Sequence, residues 1–301
     1  MRNILIDTDP GQDIDDLLAI IFALRRPEIC VKAVTTVTYP SDRRARLVKR
    51  LLRYLNRTDI PVAAGMQYPL RVVGEREQAQ LRDDRHSMNH ASFAEPADER
   101  DAPGDDDAVD LIIRTVQANP GIMLACIAPL TNIACALCRE PGIAKNISSI
   151  ALMGGDVAQN RTEHNIAFDC IAADLVLQSG IPIYMGTWDV TRKFVLLKDD
   201  CALFAASDQP VCRALAEAIA VWNPVHSWKP GPVMYDLFPM IWAFNRTLYT
   251  MKEMPVRVEI TGENSRGMTI PIGNQKNIFV STDIDVPAVR EMYLSTVLGG
   301  R

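Results

Sequence analysis

Ile6-Asp7-Thr8-Asp9-Pro10-Gly11-Gln12-Asp13-Ile14-Asp15-Asp16 places five carboxylates within ten residues, between a short apolar run at 3–7 and an apolar helical pattern at 15–24. A strand that enters a helix through such a turn implies α/β organisation. In an open parallel sheet that junction lies at the carboxyl edge, where ligand sites form. Crowded carboxylates repel one another and resist desolvation, so a fold that gathers them needs a compensating cation. All-oxygen ligands select a hard ion, Ca²⁺ or Mg²⁺, rather than zinc. A solvated turn with Asp13 as helix N-cap explains one or two of these acids, but not five.

Working outward, short runs rich in Val and Ile alternate with longer helical patterns. Strands are expected at 3–7, 31–37, 60–64, 122–128, 149–153 and 181–185, and helices at 15–24, 43–55, 107–118, 132–137 and 172–178. In the 43–55 helix Leu47, Val48, Leu51, Leu52 and Leu55 share one face, with the Arg and Lys residues on the other. Near-continuous apolar strands alternating with helices predict an open, mostly parallel, Rossmann-like sheet covered by helices on both faces. Two stretches break the rhythm: a polar, acidic excursion at about 71–107, and a helical, aromatic region at about 200–245 containing Trp222, Trp228, Tyr235, Phe238 and Trp242. Late strands are expected at 255–260 and 277–280 and a closing helix at 286–298. With no repeat and no evident linker, the 301 residues read as one domain.

A net charge of -5 and a pI near 5.5 argue against nucleic-acid or membrane-surface partners. No apolar run reaches the roughly 20 residues that span a bilayer. The N-terminus runs from a short apolar stretch straight into acids, unlike a signal peptide. Seven scattered cysteines, an odd number, fit a reducing, cytoplasmic compartment. Cys135 and Cys138 have CxxC spacing but lie in a helical pattern with no second pair, which favours ordinary packing.

The acidic loop and the order of elements resemble the inosine–uridine-preferring nucleoside hydrolase family, whose N-terminal signature is a DxDPGxDD loop. Further on, Ala128-Pro129-Leu130-Thr131-Asn132-Ile133-Ala134 resembles its PLTNIA turn, Leu152-Met153-Gly154-Gly155 its LMGG strand end, and Glu163-His164-Asn165-Ile166-Ala167-Phe168-Asp169 its E-x-N-x-x-x-D segment. Each piece is weak alone; their shared order over most of the chain is specific. The resemblance implies the nucleoside hydrolase fold and calcium-dependent cleavage of the N-glycosidic bond of a ribonucleoside, or a related N-riboside, to free base and ribose. Asp9 would be metal ligand and general base toward a metal-bound water. Asp16, Asp236 and the Thr131 carbonyl would complete the metal shell. Asp15, Met153, Glu163 and Asn165 would hold the ribose. It also implies a homodimer or homotetramer. The chemistry suits these residues: carboxylates beside the ring can stabilise an oxocarbenium-like transition state, and no covalent nucleophile is required.

Three departures concern the edges of the site. The acidic loop has two extra residues before Asp15-Asp16, which leaves Asp13 as a helix N-cap, an outer ligand or a group behind the ligands; Asp7 is a further acid of open role. The family's TTVxGN turn reads Thr35-Thr36-Val37-Thr38-Tyr39-Pro40, so its asparagine is missing, with Ser41 or Asp42 as conceivable replacements. Tyr235 stands where many members carry a histidine suspected of protonating the leaving base. Tyrosine is a weak acid at neutral pH. His226, flanked by Trp222 and Trp228, is a candidate substitute, and the tryptophans could stack on a flat base or merely pack. In an extended segment His164 would point away from Glu163 and Asn165. Two other readings compete: a metal-stabilised nucleoside-binding protein without catalysis, and a haloacid-dehalogenase-like phosphohydrolase, whose first strand also ends in DxD with the first Asp as nucleophile.

Overall fold

The computed structural model describes residues 1–71, 101, 106–159 and 161–299. Strands and helices alternate through the first part of the chain. They run β1 (Arg2–Thr8), α1 (Asp15–Arg25), β2 (Ile29–Thr36), α2 (Ser41–Tyr54), β3 (Val62–Ala64), α3 (Ala108–Ala118), β4 (Ile122–Cys126) and α4 (Thr131–Arg139). Then come β5 (Ile147–Met153), α5 (His164–Phe168), α6 (Cys170–Leu177) and β6 (Ile183–Gly186). A helical stretch follows, with α7 (Trp188–Thr191), α8 (Lys198–Ala205), α9 (Pro210–Val225) and α10 (Leu237–Trp242). The chain closes with β7 (Tyr249–Glu253), β8 (Arg257–Val258), β9 (Thr269–Ile270), β10 (Ile278–Ile284) and α11 (Val286–Leu298).

Eight strands form one sheet in the order β3-β2-β1-β4-β5-β6-β10-β7. All neighbours are parallel except β7, which adds antiparallel to β10 at one edge. The order reverses at β1, which pairs with β2 on one side and β4 on the other. A crevice therefore opens beyond the end of β1, at the topological switch point.

Strand β1 shows how the sheet is buried. Ile4 and Ile6 belong to the apolar layer formed with α1, α2, α9, α10 and α11, whereas Leu5 belongs to the layer formed with α3, α4 and α6. Successive strand side chains point to opposite faces, and here both faces are covered. The same alternation carries past Ile6. Asp7 follows Leu5 toward α4, and Thr8 follows Ile6 toward α1. Helix α1 is buried on nearly every side from Asp15 to Ala23, so its first turn cannot leave its two carboxylates in open water.

The six strands expected through residue 185 and the closing helix are all present, with ends displaced by up to two residues. Three expectations change. The 255–260 strand shrinks to Arg257–Val258, paired only with β9 outside the main sheet. Strand β7 was not anticipated, because YTMKE is short and mostly exposed, with Tyr249 its one buried side chain. The basic side of α2 is not a solvated face throughout: Arg44 and Arg50 are buried, and Arg50 pairs with Asp101 at 2.9 Å. Of the 71–107 excursion only Arg71, Asp101, Asp106 and Asp107 lie among the described residues; His86 and His90 fall outside them, as does Asn160. Asp107 N-caps α3, accepting from the Val109 N–H at 2.8 Å. No helix among the described residues is long and apolar enough to cross a membrane.

Candidate active site

A cavity of about 290 Å³ opens at the carboxyl edge of β1. Asp9, Asp13, Asp15, Asp16 and Asp236 line its floor and one side, with Ile127 from the end of β4. Met153, Glu163, His164 and Asn165 line it from β5 and α5. Trp188, His226, Trp228, Lys229 and Tyr235 come from the helical stretch, and Gln12 and Arg161 also face it. The space suits one small molecule with a polar and an aromatic end.

Asp15, Asp16 and Asp236 are all buried, and an oxygen from each lies within 4.8 Å of the others. Among the described residues no other cluster of His, Cys, Asp or Glu comes this close. Asp236 precedes α10 at the N-cap position, yet its side chain makes no capping hydrogen bond. A helix-cap role therefore does not account for it. Burial and mutual repulsion raise the pKa of Asp15 and Asp236 well above the ordinary carboxylate value, and that of Asp16 to about 8. Thr8 Oγ1 donates to Asp16 Oδ1 at 2.5 Å and the Asp9 N–H donates to it at 3.1 Å, but these bonds only partly offset burial. Three desolvated acids converging without an equal number of cations are a donor set that a hard divalent ion fits.

Asp9 stands beside this trio rather than in it. It is half-buried and accepts from Thr38 Oγ1 at 3.3 Å. Burial pushes its pKa up to about 7, while the Arg44 guanidinium opposes the rise. Arg44 also donates to the backbone carbonyls of Asp9, Pro10 and Tyr39, tying the acidic loop to the turn after β2. The spacing of α2 gave no hint of this clamp. Thr38, and not Ser41 or Asp42, approaches the site from that turn: the Ser41 hydroxyl donates to Gly65 O at 2.8 Å, and Asp42 is exposed.

The remaining acids of the first loop separate by geometry. Asp7 accepts from Thr35 Oγ1 at 2.6 Å and from Asn132 Nδ2 at 2.9 Å, buried beneath the crevice. It does not line the cavity, so the position a dehalogenase-like nucleophile would need is occupied by a structural acid. Asp13 is not the N-cap of α1, since Ile14 holds that position. Asp13 instead forms an ion pair with Lys229. Thr131 is likewise absent from the cavity lining, and its hydroxyl donates to Asp169 Oδ2 at 2.8 Å. From this part of the chain Ile127, the residue following β4, reaches the cavity.

On the opposite wall Gly155 takes φ +77 after β5, where a Cβ would meet Thr269 Cγ2 at 2.9 Å; glycine lets the chain turn there. The Glu163 carboxylate accepts from the N–H groups of Gly155 (3.0 Å), Asn165 (2.8 Å) and Ile166 (3.1 Å). It thus fixes both sides of the wall as the N-cap of α5. Asn165 Nδ2 donates to Met153 O at 3.2 Å. Because 164–168 is helical rather than extended, His164 lines the cavity with its neighbours. Replacing Glu163 with alanine strands three buried donors and should lower unfolding stability by about 2 kcal/mol, measurable by denaturant titration.

The aromatic end also differs from expectation. Trp222 is fully buried in the core and does not line the cavity; it supports His226, whose ring stacks on it at 4.5 Å between centroids. Trp228 is 75% exposed at the rim. The His226 Nδ1 lies 3.2 Å from the Trp222 carbonyl, an acceptor, so this nitrogen carries the proton. Tyr235 bonds the Trp188 side chain, and burial together with Asp15 and Asp13 pushes its pKa up to about 12.

Comparison with known proteins gives a consistent picture. Residues 4–291 match the family model described as inosine-uridine preferring nucleoside hydrolase. The chain is 33% identical to the pyrimidine-specific ribonucleoside hydrolase RihA of Citrobacter koseri, covering 94% of this chain and 93% of that protein. It is 34% identical to the protein of the same name from Escherichia coli O139:H28, covering 94% of each. A solved purine-preferring ribonucleoside hydrolase from Gardnerella vaginalis superposes with a TM-score of 0.87 at 25% identity, over 99% of this chain and 98% of that one.

Proposed function

The chain belongs to the inosine-uridine preferring nucleoside hydrolase family, enzymes that split ribonucleosides into base and ribose, and we propose that its buried acid crevice performs this reaction with a divalent cation. The observation that carries the reading is the convergence of Asp15, Asp16 and Asp236 on one point of a cavity that Glu163 and Asn165 also line. Asp15, Asp16 and Asp236 would hold the ion, Ca²⁺ in preference to Mg²⁺, with the Ile127 carbonyl better placed than that of Thr131 to join them. When bound, the ion supplies a water of lowered pKa and a grip on adjacent ribose hydroxyls.

Asp9, beside the acid trio and held by Thr38, removes the proton from the attacking water. Asp15 can offer its second oxygen to the ribose 2′-hydroxyl. Glu163 and Asn165, together with Met153, set the wall against which the sugar lies. As the C1′–N bond breaks, positive charge grows on the ring, and the surrounding carboxylates stabilise it. The water oxygen adds to C1′, Asp9 takes one proton, and the base departs with the bonding electron pair. Pyrimidine nucleosides are the first substrates to assay, supported by the names of the relatives at 33–34% identity.

A panel of nucleosides assayed for released reducing sugar tests the reading, with a chelator as control. Turnover that disappears with the chelator and returns with Ca²⁺ supports hydrolysis; tight nucleoside binding without sugar release would favour the binding-protein alternative. We further place the protein in a reducing cytoplasmic compartment as a homodimer or homotetramer; its seven unpaired cysteines support the first of these.

A further inference from the structure

We infer that Lys229 is the hydrogen-bond donor to the departing base, and that Asp13, carried on the lengthened acidic loop, positions it. The inference rests on the hydrolase reading above and names the group that reading leaves open at the base end.

Among the described residues two cationic side chains line the cavity, Arg161 and Lys229. Arg161 is engaged at the rim: its guanidinium lies 3.5 Å from the Trp188 ring centroid and its Nε 3.8 Å from Asp156 Oδ2. The Lys229 side chain is only 7% exposed. Its Nζ sits 5.3, 5.1 and 5.6 Å from the ring centroids of Trp222, Trp228 and Tyr235. Aromatic faces attract an ammonium, so three rings together fix where this charge stands. Asp13 holds it as well, taking one of the three N–H donors an ammonium carries. The two extra residues of the acidic loop thereby acquire a purpose that metal binding does not give them.

The acid trio binds the sugar end, so the wall of Trp228, Tyr235 and Lys229 faces the base. Tyr235 has its hydroxyl engaged by the Trp188 side chain. His226 gives its Nδ1–H to the Trp222 carbonyl, so in the neutral ring its Nε2 is an acceptor and not a donor. When the C1′–N1 bond of a pyrimidine nucleoside breaks, the electron pair enters the base and spreads onto the adjacent C2 carbonyl oxygen. The Lys229 ammonium donates a hydrogen bond to that anion in a cavity where water competes poorly. The released anion then takes a proton from solvent, and Asp9 returns to solvent the proton it took from water. Protons and electrons balance without a further reactant.

The test compares uridine with p-nitrophenyl β-D-ribofuranoside, whose leaving group is stable as an anion without a donor. Lys229→Met should lower kcat on uridine by about 10²-fold while changing kcat on the aryl riboside by less than about threefold. Lys229→Arg, which keeps a cationic donor, should recover much of the uridine activity. Asp13→Asn should reproduce the same selectivity with a smaller loss. Equal losses on both substrates, or unchanged uridine turnover in Lys229→Met, overturn the assignment. So does a selective loss on uridine in His226→Gln with Lys229→Met active. If the wild-type protein cleaves neither substrate, the hydrolase reading fails first and this one with it. The arginine variant keeps the test decisive should the methionine variant misfold.

Discussion

Asp9→Asn is expected to lower kcat for ribose release by about 10³-fold, with KM changed by less than about threefold. Asparagine keeps the size of the side chain and can still accept the Thr38 hydroxyl, so the loop clamped by Arg44 has no reason to move. What disappears is the acceptor for the proton of water. The same substitution should make the metal-free protein more stable. Burial raises the pKa of Asp9 to about 7, which means that its ionised form is disfavoured in the folded state at neutral pH. A neutral isostere removes that cost. Loss of turnover together with a higher melting temperature in chelator identifies a functional acid that the fold tolerates against its own stability. Full activity in the variant would remove Asp9 from the mechanism.

The second large effect concerns the cation. Asp16→Asn and Asp236→Asn should each abolish detectable turnover at micromolar Ca²⁺ and raise the Kd for the ion by at least about 10²-fold. Linkage fixes the sign of the pH dependence. The carboxyl groups of Asp15, Asp16 and Asp236 have folded-state pKa values raised above those of the unfolded chain. Their contribution to the stability of the metal-free protein is therefore fully present below about pH 4, and is lost as the pH rises through the raised values, about 8 for Asp16. Ion binding works in the opposite direction, because the ligands must shed their protons first. If one proton leaves per ion bound, Kd falls about tenfold for each pH unit. Calcium should thus raise the melting temperature strongly at pH 8 and hardly at pH 5. Isothermal titration in buffers of different ionisation enthalpy would count the released protons directly. A calcium effect that is independent of pH would mean that the ion binds elsewhere.

The site was legible in sequence to the extent that local spacing reflects it. Five acids in one short loop implied a cation, and the helical pattern after them implied that Asp15 and Asp16 would share a first turn at a sheet edge. The partner from the distal half, Asp236, was reached only through resemblance, because a single acid before an apolar helix has an ordinary capping explanation. The structure weakens that explanation by leaving the carboxylate without a capping bond. Lys229 carried no signal in the sequence: one lysine between an exposed tryptophan and a proline looks like a solvated turn.

Periodicity thus determined the α/β alternation, the burial of β1 on both faces and the location of the crevice, since these depend on contacts repeated every two or every three to four residues. Tertiary structure alone decided which acids face the crevice. Asp7 and Asp9 differ by two positions, yet one is sealed against α4 by Asn132 and the other reaches the cavity, because β1 ends between them at Thr8. The same holds for Asp13 and Lys229, and for Arg44 and the Asp9 carbonyl. Each depends on packing between segments far apart in the chain, and a side chain's surroundings at that distance are written in no local pattern.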